Sequence, residues 1–465
     1  MAVLLISSIG NGYEDKDRRI HTYRTANYTR NAEDRNPIVT PYVFDAISQM
    51  NQVDKLVLIG TVGSDWLALY RFLCETKNIE PEDPVNLSLR TFFDMTQKYS
   101  VKPEEFLPNL EPIKALLQEK YNRVEIIILH YGIDEKELNG NFNLLTRIDE
   151  MVESGDEIIF DITHSFRSLS LFELIAVKYI KEIRKKQVSI QKVTYGMLEI
   201  SRELSGMSPV IDLKPLITTL DLMTAIDEFE RFGTTYALCD VLRELQRSGN
   251  AIALSDSAIQ ALRGLSENIS INKFSDFAEL VKESHRLVED RDAIIGARPD
   301  LAMLVEKIFR EINNRFYSIV ESGDINMLRI RFAKWHYDKK RYVISALSVI
   351  ETILSIACDI TGVDENNSER REAYRDRLNR FTLNFPHSGI KVKKYRTLCG
   401  IYNKLRSIRN RLAHPTGNSI QATDINELCK ELNRLNNFYT DNLLHSDSQV
   451  RAELAACLRI PVEYR

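Results

Sequence analysis

The chain predicts an α/β domain with a largely parallel sheet, followed by an all-α half. Two observations carry this fold class. Short β-branched runs alternate with helical patterns up to about residue 213, which is the signature of βα units and a doubly wound sheet. From Lys214 onward the strand signal stops and only helical spacing remains. At 465 residues the chain exceeds a single typical core, so two or three domains are expected. The division read from the pattern is 1–220 for the α/β domain, 221–300 for a helical connector and 301–465 for a C-terminal helical domain.

The elements follow in order. Val3 to Ser7 is an apolar strand that runs into Ser8-Ile9-Gly10-Asn11-Gly12, a turn able to bring backbone close to a ligand. Tyr13 to Tyr28 is polar, basic and aromatic, with a hairpin-like alternation. Thr40-Pro41 opens a helix, Thr40 as N-cap, that runs to about Asn51. Lys55 to Ile59 is a second strand, followed by the turn Gly60-Thr61-Val62-Gly63-Ser64-Asp65-Trp66, with Ser64 a plausible N-cap, and by a helix to about Thr76. Arg123 to Leu129 is a third strand and Asn141 to Glu153 a helix. Glu157 to Phe160 is a buried strand ending in the polar octet Asp161-Ile162-Thr163-His164-Ser165-Phe166-Arg167-Ser168. A helix follows, with Ser170 and Glu173 at capping-box spacing. Val188 to Tyr195 is a further strand, and Val210 to Leu213 adds an edge strand.

Polar turns at the carboxyl ends of parallel strands are where open α/β sheets bind ligands. A helix N-terminus there offers free N–H groups to anions. The octet, with Thr163, His164, Ser165, Arg167 and Ser168 as donors, therefore reads as a site for a phosphate-bearing ligand, joined by Gly10, Asn11, Gly12, Thr61 and Ser64. The same residues also suit a bland reading, in which the hydroxyls cap a helix and Asp161 orders the loop.

In the second half, Pro215 to Gln246, Leu254 to Leu287 and Pro299 to Glu321 are helical patterns, and Met327 to Ile356 reads as one strong amphipathic helix. Within it, His336 is expected to be a surface or satisfied histidine. The 221–300 stretch is not rich in Lys or Arg, which argues against a DNA-reading helix pair. Between Asn366 and Leu412, thirteen Lys or Arg stand against three Asp or Glu, in a chain of net charge −4. Such a local basic field suits a nucleic-acid backbone. Tyr374, Phe381, Tyr395 and Tyr402 lie within it, as base-stacking or core aromatics. The field leads into Arg409-Asn410-Arg411-Leu412-Ala413-His414-Pro415, where the proline ends the helix just after His414.

No run of 18 apolar residues appears, so no membrane span is expected. The start Met1 to Ile6 reads as a strand, not a signal peptide. The six cysteines are scattered with no C-x-x-C pair, which suggests neither a zinc site nor a disulfide framework; a cytoplasmic protein with reduced thiols is expected.

The octet resembles the Asp-x-Thr-His-Gly signature of CRISPR-associated proteins with a CARF domain, the Rossmann-like ligand sensor of type III systems, with Ser165 where that family has Gly. The Gly60–Trp66 turn is similar to the family's second turn. Arg409-Asn410-x-x-x-His414 resembles the Arg-x-x-x-x-His motif of HEPN ribonucleases. The two motif sets are independent, and their order is that of the CARF–HEPN ribonucleases. The resemblance implies a Rossmann-like CARF domain, a helical connector and a C-terminal HEPN domain. It also implies a homodimer or larger homo-oligomer, in which two Arg409–His414 motifs meet to form one composite site. The implied allosteric activator is a cyclic oligoadenylate, with cyclic tetra-adenylate expected, and the implied activity is endonucleolytic cleavage of single-stranded RNA. His414 can exchange protons near neutral pH, Arg409 can fork onto phosphate oxygens, and Asn410 can hold either group in place. No Asp, Glu and His cluster at metal spacing accompanies them, so a metal-free reaction giving a 2′,3′-cyclic phosphate and a 5′-hydroxyl is expected. Five residues turn a straight helix about 140° past a full turn, so Arg409 and His414 share a face only if the helix end distorts. The competing reading is a non-catalytic CARF regulator that binds nucleic acid through its basic helices. A third is that Thr163, His164 and Arg167 also degrade the activator.

Overall fold

The computed structural model describes residues 2–15, 20–95, 97–164, 167–183, 188–247, 256–270, 277–289, 299–380, 393–413, 422–445 and 448–459. They form two compact units, Met1–Ile217 and Thr218–Arg465.

The first unit is built on strands β1 (Val3–Ser8), β4 (Ala26–Thr29), β5 (Ile38–Thr40), β6 (Lys55–Thr61), β7 (Arg123–Leu129), β8 (Glu157–Asp161), β9 (Ser189–Gly196) and β10 (Met207–Asp212). A separate hairpin, β2 (Tyr13–Asp15) with β3 (Ile20–Thr22), stands apart from them. The eight-stranded order is β5-β4-β10-β9-β8-β1-β6-β7. Its centre, β9-β8-β1-β6-β7, is parallel throughout, whereas β10 runs antiparallel to β9 and β5 antiparallel to β4. β10 is not an edge strand: β4 pairs with its other side, in parallel. β4 is short and polar and β5 is only three residues long, so neither registers as a strand in the sequence.

The central strands are buried on both faces. All seven residues of β6 are buried, and Leu5, Leu56 and Leu58 face one core while Leu4, Val57 and Ile59 face another. This is the period of two of a strand covered on both sides. Lys55 is the exception in β6. Its ammonium is buried and held by Glu153 and Asp156 at 2.9 and 3.0 Å, which keeps it charged as a buried cation requires.

The second unit has helices and no strand among its described residues, with two apolar cores. Residues 221–300 are more than a connector: Leu242, Leu262, Phe277 and Val281 pack with Phe309, Phe316 and Phe332. The helix Ile325–Asp338 serves both cores, Leu328, Phe332 and Trp335 on one side and Met327, Ile330 and Ala333 on the other. The expected single helix from Met327 to Ile356 is two. The first ends at Asp338, Lys340 takes a left-handed φ of 61°, and Tyr342–Thr361 follows. Gly233, at φ 72°, likewise separates Lys214–Phe232 from Tyr236–Arg247. Tyr342–Thr361 is long and apolar enough to cross a bilayer by composition, but Ala346, Val349, Ile353 and Ile356 are packed into the second core. His336 is not at the surface. It is fully buried against Phe332, and neither ring nitrogen has a partner among the described residues.

Candidate functional site

After laying down β4 and β5 at the opposite edge, the chain builds β6 and β7 on one side of β1, then returns to add β8 and β9 on the other. The carboxyl ends of β1 and β8 therefore flank a topological switch point, where the loops diverge and leave a crevice. A cavity of about 540 Å³ opens there. Gly10, Asn11 and Gly12 from the first turn and Thr163 and His164 from the octet line it. The two turns touch, since a Cβ on Gly10 would meet the His164 carbonyl at 3.0 Å. The remaining walls were not singled out in the sequence. Residues Tyr23 to Tyr28 come from the stretch entering β4, and Leu198, Ser201, Gly206 and Ser208 from the β9–β10 connection. Their signal was weak because no short motif marks them; only the pairing of β4 with β10 brings them together.

Thr61 and Ser64 are placed elsewhere. β6 lies on the far side of β1 from the crevice, and both residues are buried. The Ser64 hydroxyl donates to the Ile9 carbonyl at 2.6 Å and accepts from the Thr61 N–H at 3.0 Å. The Asp65 N–H donates to the Gly10 carbonyl at 2.9 Å. This second turn thus supports the Gly10 turn from behind. Asp65, not Ser64, caps the helix Trp66–Thr76, accepting from the Ala68 N–H at 3.0 Å. Thr40 also caps nothing: it ends β5, and the helix begins at Val43.

The octet is held by its first carboxylate. Asp161 is buried and accepts from the Ser7 and Thr163 hydroxyls, both at 2.5 Å. The Thr163 hydroxyl in turn accepts from the Gly196 N–H at 2.8 Å, so that oxygen is committed to the turn. Burial pushes the Asp161 carboxyl up to about 6 against these hydrogen bonds. Burial pushes His164 the other way, to about 4, with the Glu199 carboxylate opposing. The imidazole is neutral at pH 7. Its ring meets Tyr23 edge-on at 5.3 Å, and its buried Nε2 has no partner among the described residues. The Tyr23 hydroxyl donates to the Gly10 carbonyl, and burial keeps that phenol neutral.

Ser165 lies outside the described residues. Arg167 and Ser168 are the first two residues of the helix Arg167–Lys178, at the crevice end of β8. The helix starts three residues before Ser170, so Ser170 and Glu173 form no capping box; the buried Glu173 carboxylate accepts from the Ser8 hydroxyl instead.

The second predicted site lies in the other unit. Arg409 and Asn410 are half-buried in the last turns of the helix Lys393–Ala413, whose Leu405, Ile408 and Leu412 are core. The Arg409 Nε is buried, with no partner among the described residues. Arg411, between the motif residues, is tied to Asp424 at 2.7 Å and to Ser407 at 2.7 Å. His414 and Phe381 lie outside the described residues. Tyr374, Tyr395 and Tyr402 are at most 3% exposed and belong to the core, where no base can stack on them.

A family model described as CRISPR system endoribonuclease Csx1, CARF domain, matches residues 4–198, from β1 through the end of β9. CRISPR-associated protein MJ1674 of Methanocaldococcus jannaschii is 28% identical over 424 residues, covering 89% of this chain and 62% of that protein. The chain thus spans less than two thirds of that relative's length. Enterococcus italicus Csm6 bound to cyclic hexa-2′-fluoro-hexa-dAMP aligns with 98% of this chain and 99% of that chain, at a TM-score of 0.39 and 11% identity, a likeness too distant to bear on the site. The segment that is similar to this CARF-domain model contains both turns that line the switch-point crevice and ends before its further wall residues Ser201, Gly206 and Ser208.

Proposed function

We propose that this protein is an endoribonuclease of single-stranded RNA, acting without a metal and switched on by a cyclic oligoadenylate bound in the CARF cavity. The observation that carries the sensor half is the joining of the Gly10–Gly12 turn to Thr163 and His164 around one cavity at the switch point. Glycine backbone, hydroxyls and a neutral imidazole suit a ligand with both phosphates and bases. The matched family's description as an endoribonuclease supports the nuclease half. So does the half-buried Arg409 with a desolvated Nε.

In this reading two chains form a dimer, and two cavities face one ring of even size, cyclic tetra-adenylate. Ring binding favours the dimer arrangement in which two Arg409–His414 motifs make one site, a coupling between distinct sites. There the substrate 2′-oxygen attacks the adjacent phosphorus. Arg409 forks onto the phosphorane oxygens, His414 moves a proton at the 2′-oxygen or the leaving 5′-oxygen, and Asn410 orients them. The products carry a 2′,3′-cyclic phosphate and a 5′-hydroxyl.

The test is cleavage of end-labelled single-stranded RNA in a chelator, with and without cyclic tri-, tetra- and hexa-adenylate. Cleavage that depends on one ring, and that falls at least about 100-fold in the Arg409→Ala, His414→Ala double variant while ring binding persists, is the expected result. Tight ring binding without cleavage would turn the reading to a CARF regulator that binds nucleic acid. Undiminished cleavage by the double variant would remove Arg409 and His414 from the chemistry.

A further inference from the structure

One group of charges extends from Arg409 to residues that the chemistry above does not use. Tyr402 is buried on the Lys393–Ala413 helix. Its phenol lies within electrostatic reach of Arg375, Arg406, Glu351 and Arg409. These come from three helices that pack together, Tyr342–Thr361, Ser368–Arg380 and Lys393–Ala413. Glu351 is the hinge of the group. One of its carboxylate oxygens pairs with Arg371 and the other faces Arg375 at 4.0 Å. Arg371 also donates to the Ser355 hydroxyl at 3.3 Å. Arg375 has a second partner in Glu372, and Arg406 donates to Asn379 Oδ1 at 2.6 Å.

Four guanidiniums thus gather against two carboxylates, and the Arg409 Nε stays desolvated without an acceptor among the described residues. Like charges at this spacing repel, and a buried donor without an acceptor costs free energy. A run of phosphates relieves both, because each offers several oxygens to planar forks. Arg371 is already engaged by Glu351 and Ser355. Arg375 and Arg406 are only half-buried.

We infer that Arg375 and Arg406 are substrate-binding residues that hold RNA phosphates flanking the one beside Arg409, with Glu351 as the positioning residue that sets Arg375. The inference rests on the nuclease reading and extends it: contacts of this kind read the backbone, not the bases.

The test uses the full chain carrying His414→Ala, so that bound RNA is not consumed. Fluorescence anisotropy of a labelled single-stranded RNA is followed across a salt series. Adding Arg375→Gln is expected to weaken binding roughly 5–20-fold at low salt and to flatten the slope of log K against log salt by about 0.7. Arg375→Lys should restore the slope, because it keeps the charge, while recovering only part of the affinity. Glu351→Gln should weaken binding with the slope unchanged. In the chain with His414 intact, Arg375→Gln should raise KM and leave kcat within about twofold. Arg406→Lys, which keeps a charge and a donor toward Asn379, is the second variant and should weaken binding without unfolding the helix pair. Unchanged affinity and slope in both Arg375→Gln and Arg406→Lys, or no RNA binding by the parent, would overturn the inference. Absence of cleavage by the unmodified chain alongside Arg375-dependent binding would sink only the nuclease reading.

Discussion

Thr163 shows how much of the octet is spent on holding itself in shape. Its hydroxyl accepts from the Gly196 N–H and donates to Asp161. Thr163→Val keeps the volume, leaves the Gly196 N–H without its acceptor and removes one of the donors to Asp161, so a loss of about 1–3 kcal/mol in urea unfolding of the first unit is expected. Two buried histidines make the molecule acid-sensitive. Burial holds His336 at about 3 and His164 at about 4, both below the ordinary value of 6.5. The unfolded chain therefore takes up protons first as pH falls, and stability present above about pH 6.5 is lost toward pH 4. Between pH 7 and pH 5 each histidine takes away roughly 2 kcal/mol. Asp161, raised to about 6, works in the opposite sense, so the first unit gains from it as pH falls through 6. The helical unit has no such offset at His336. His336→Leu should lose about 2 kcal/mol less than the unmodified chain between pH 7 and pH 5 in denaturant titrations. An equal loss in both would show that this imidazole is not what titrates.

At the scale of elements, two glycines decide where the backbone goes. Gly10 brings the first turn against the octet, and a Cβ there would meet the His164 carbonyl at 3.0 Å and the Tyr23 hydroxyl at 3.5 Å. If the proposed function holds, Gly10→Ala should weaken cyclic tetra-adenylate binding at least about tenfold by calorimetry, because the turn must move away from the cavity. Gly233 sits at φ 72°, and a Cβ there would meet the Trp335 ring at 2.6 and 2.8 Å. Gly233→Ala combines a strained left-handed residue with overpacking, so about 2–4 kcal/mol is expected to be lost, with a shift in tryptophan emission. The central strands of the first unit and the helices after β6 and β8 were legible because a buried strand ending in a polar turn and a helix is a local pattern; β4, β5 and the helices between Asp83 and Gln118 were not. Their caps were less so. Ser64 looks like a cap by type, but its hydroxyl finds the Ile9 carbonyl, 55 residues away in sequence, and Asp65 takes the helix end.

For the molecule as a whole, the two compact units set the expected response to ligand. Under the proposed function, a ring that binds only the first unit stabilises that unit by mass action, about 2.7 kcal/mol at a ligand concentration one hundred times Kd. Scanning calorimetry should then show the transition of the first unit move up with cyclic tetra-adenylate. Movement of the other transition by the same amount would mean that the units unfold as one. The basic field between Asn366 and Leu412 is read differently at this scale than from the chain. Part of its charge is neutralised locally, Arg371 by Glu351 and Arg411 by Asp424, and its described tyrosines are core. What remains is the cluster around Tyr402, which no one-dimensional count of charges isolates.

The sequence by itself determined the α/β-then-α order, the central strands, and the polar turns after β1 and β8, because strand and helix periods, apolar runs and glycine-bearing turns are properties of neighbouring residues. Tertiary structure alone decided which turns meet. Strand order sends β8 beside β1 and puts β6 on β1's other flank, so His164 reaches Gly10 at a cavity while Thr61 and Ser64 become its support. It likewise decided that residues 23–28 and 198–208 wall that cavity, that residues 221–300 share a core with the helices after them, and that His336 is dry. Each of these depends on contacts between distant segments, which pairing and packing fix and local propensity does not.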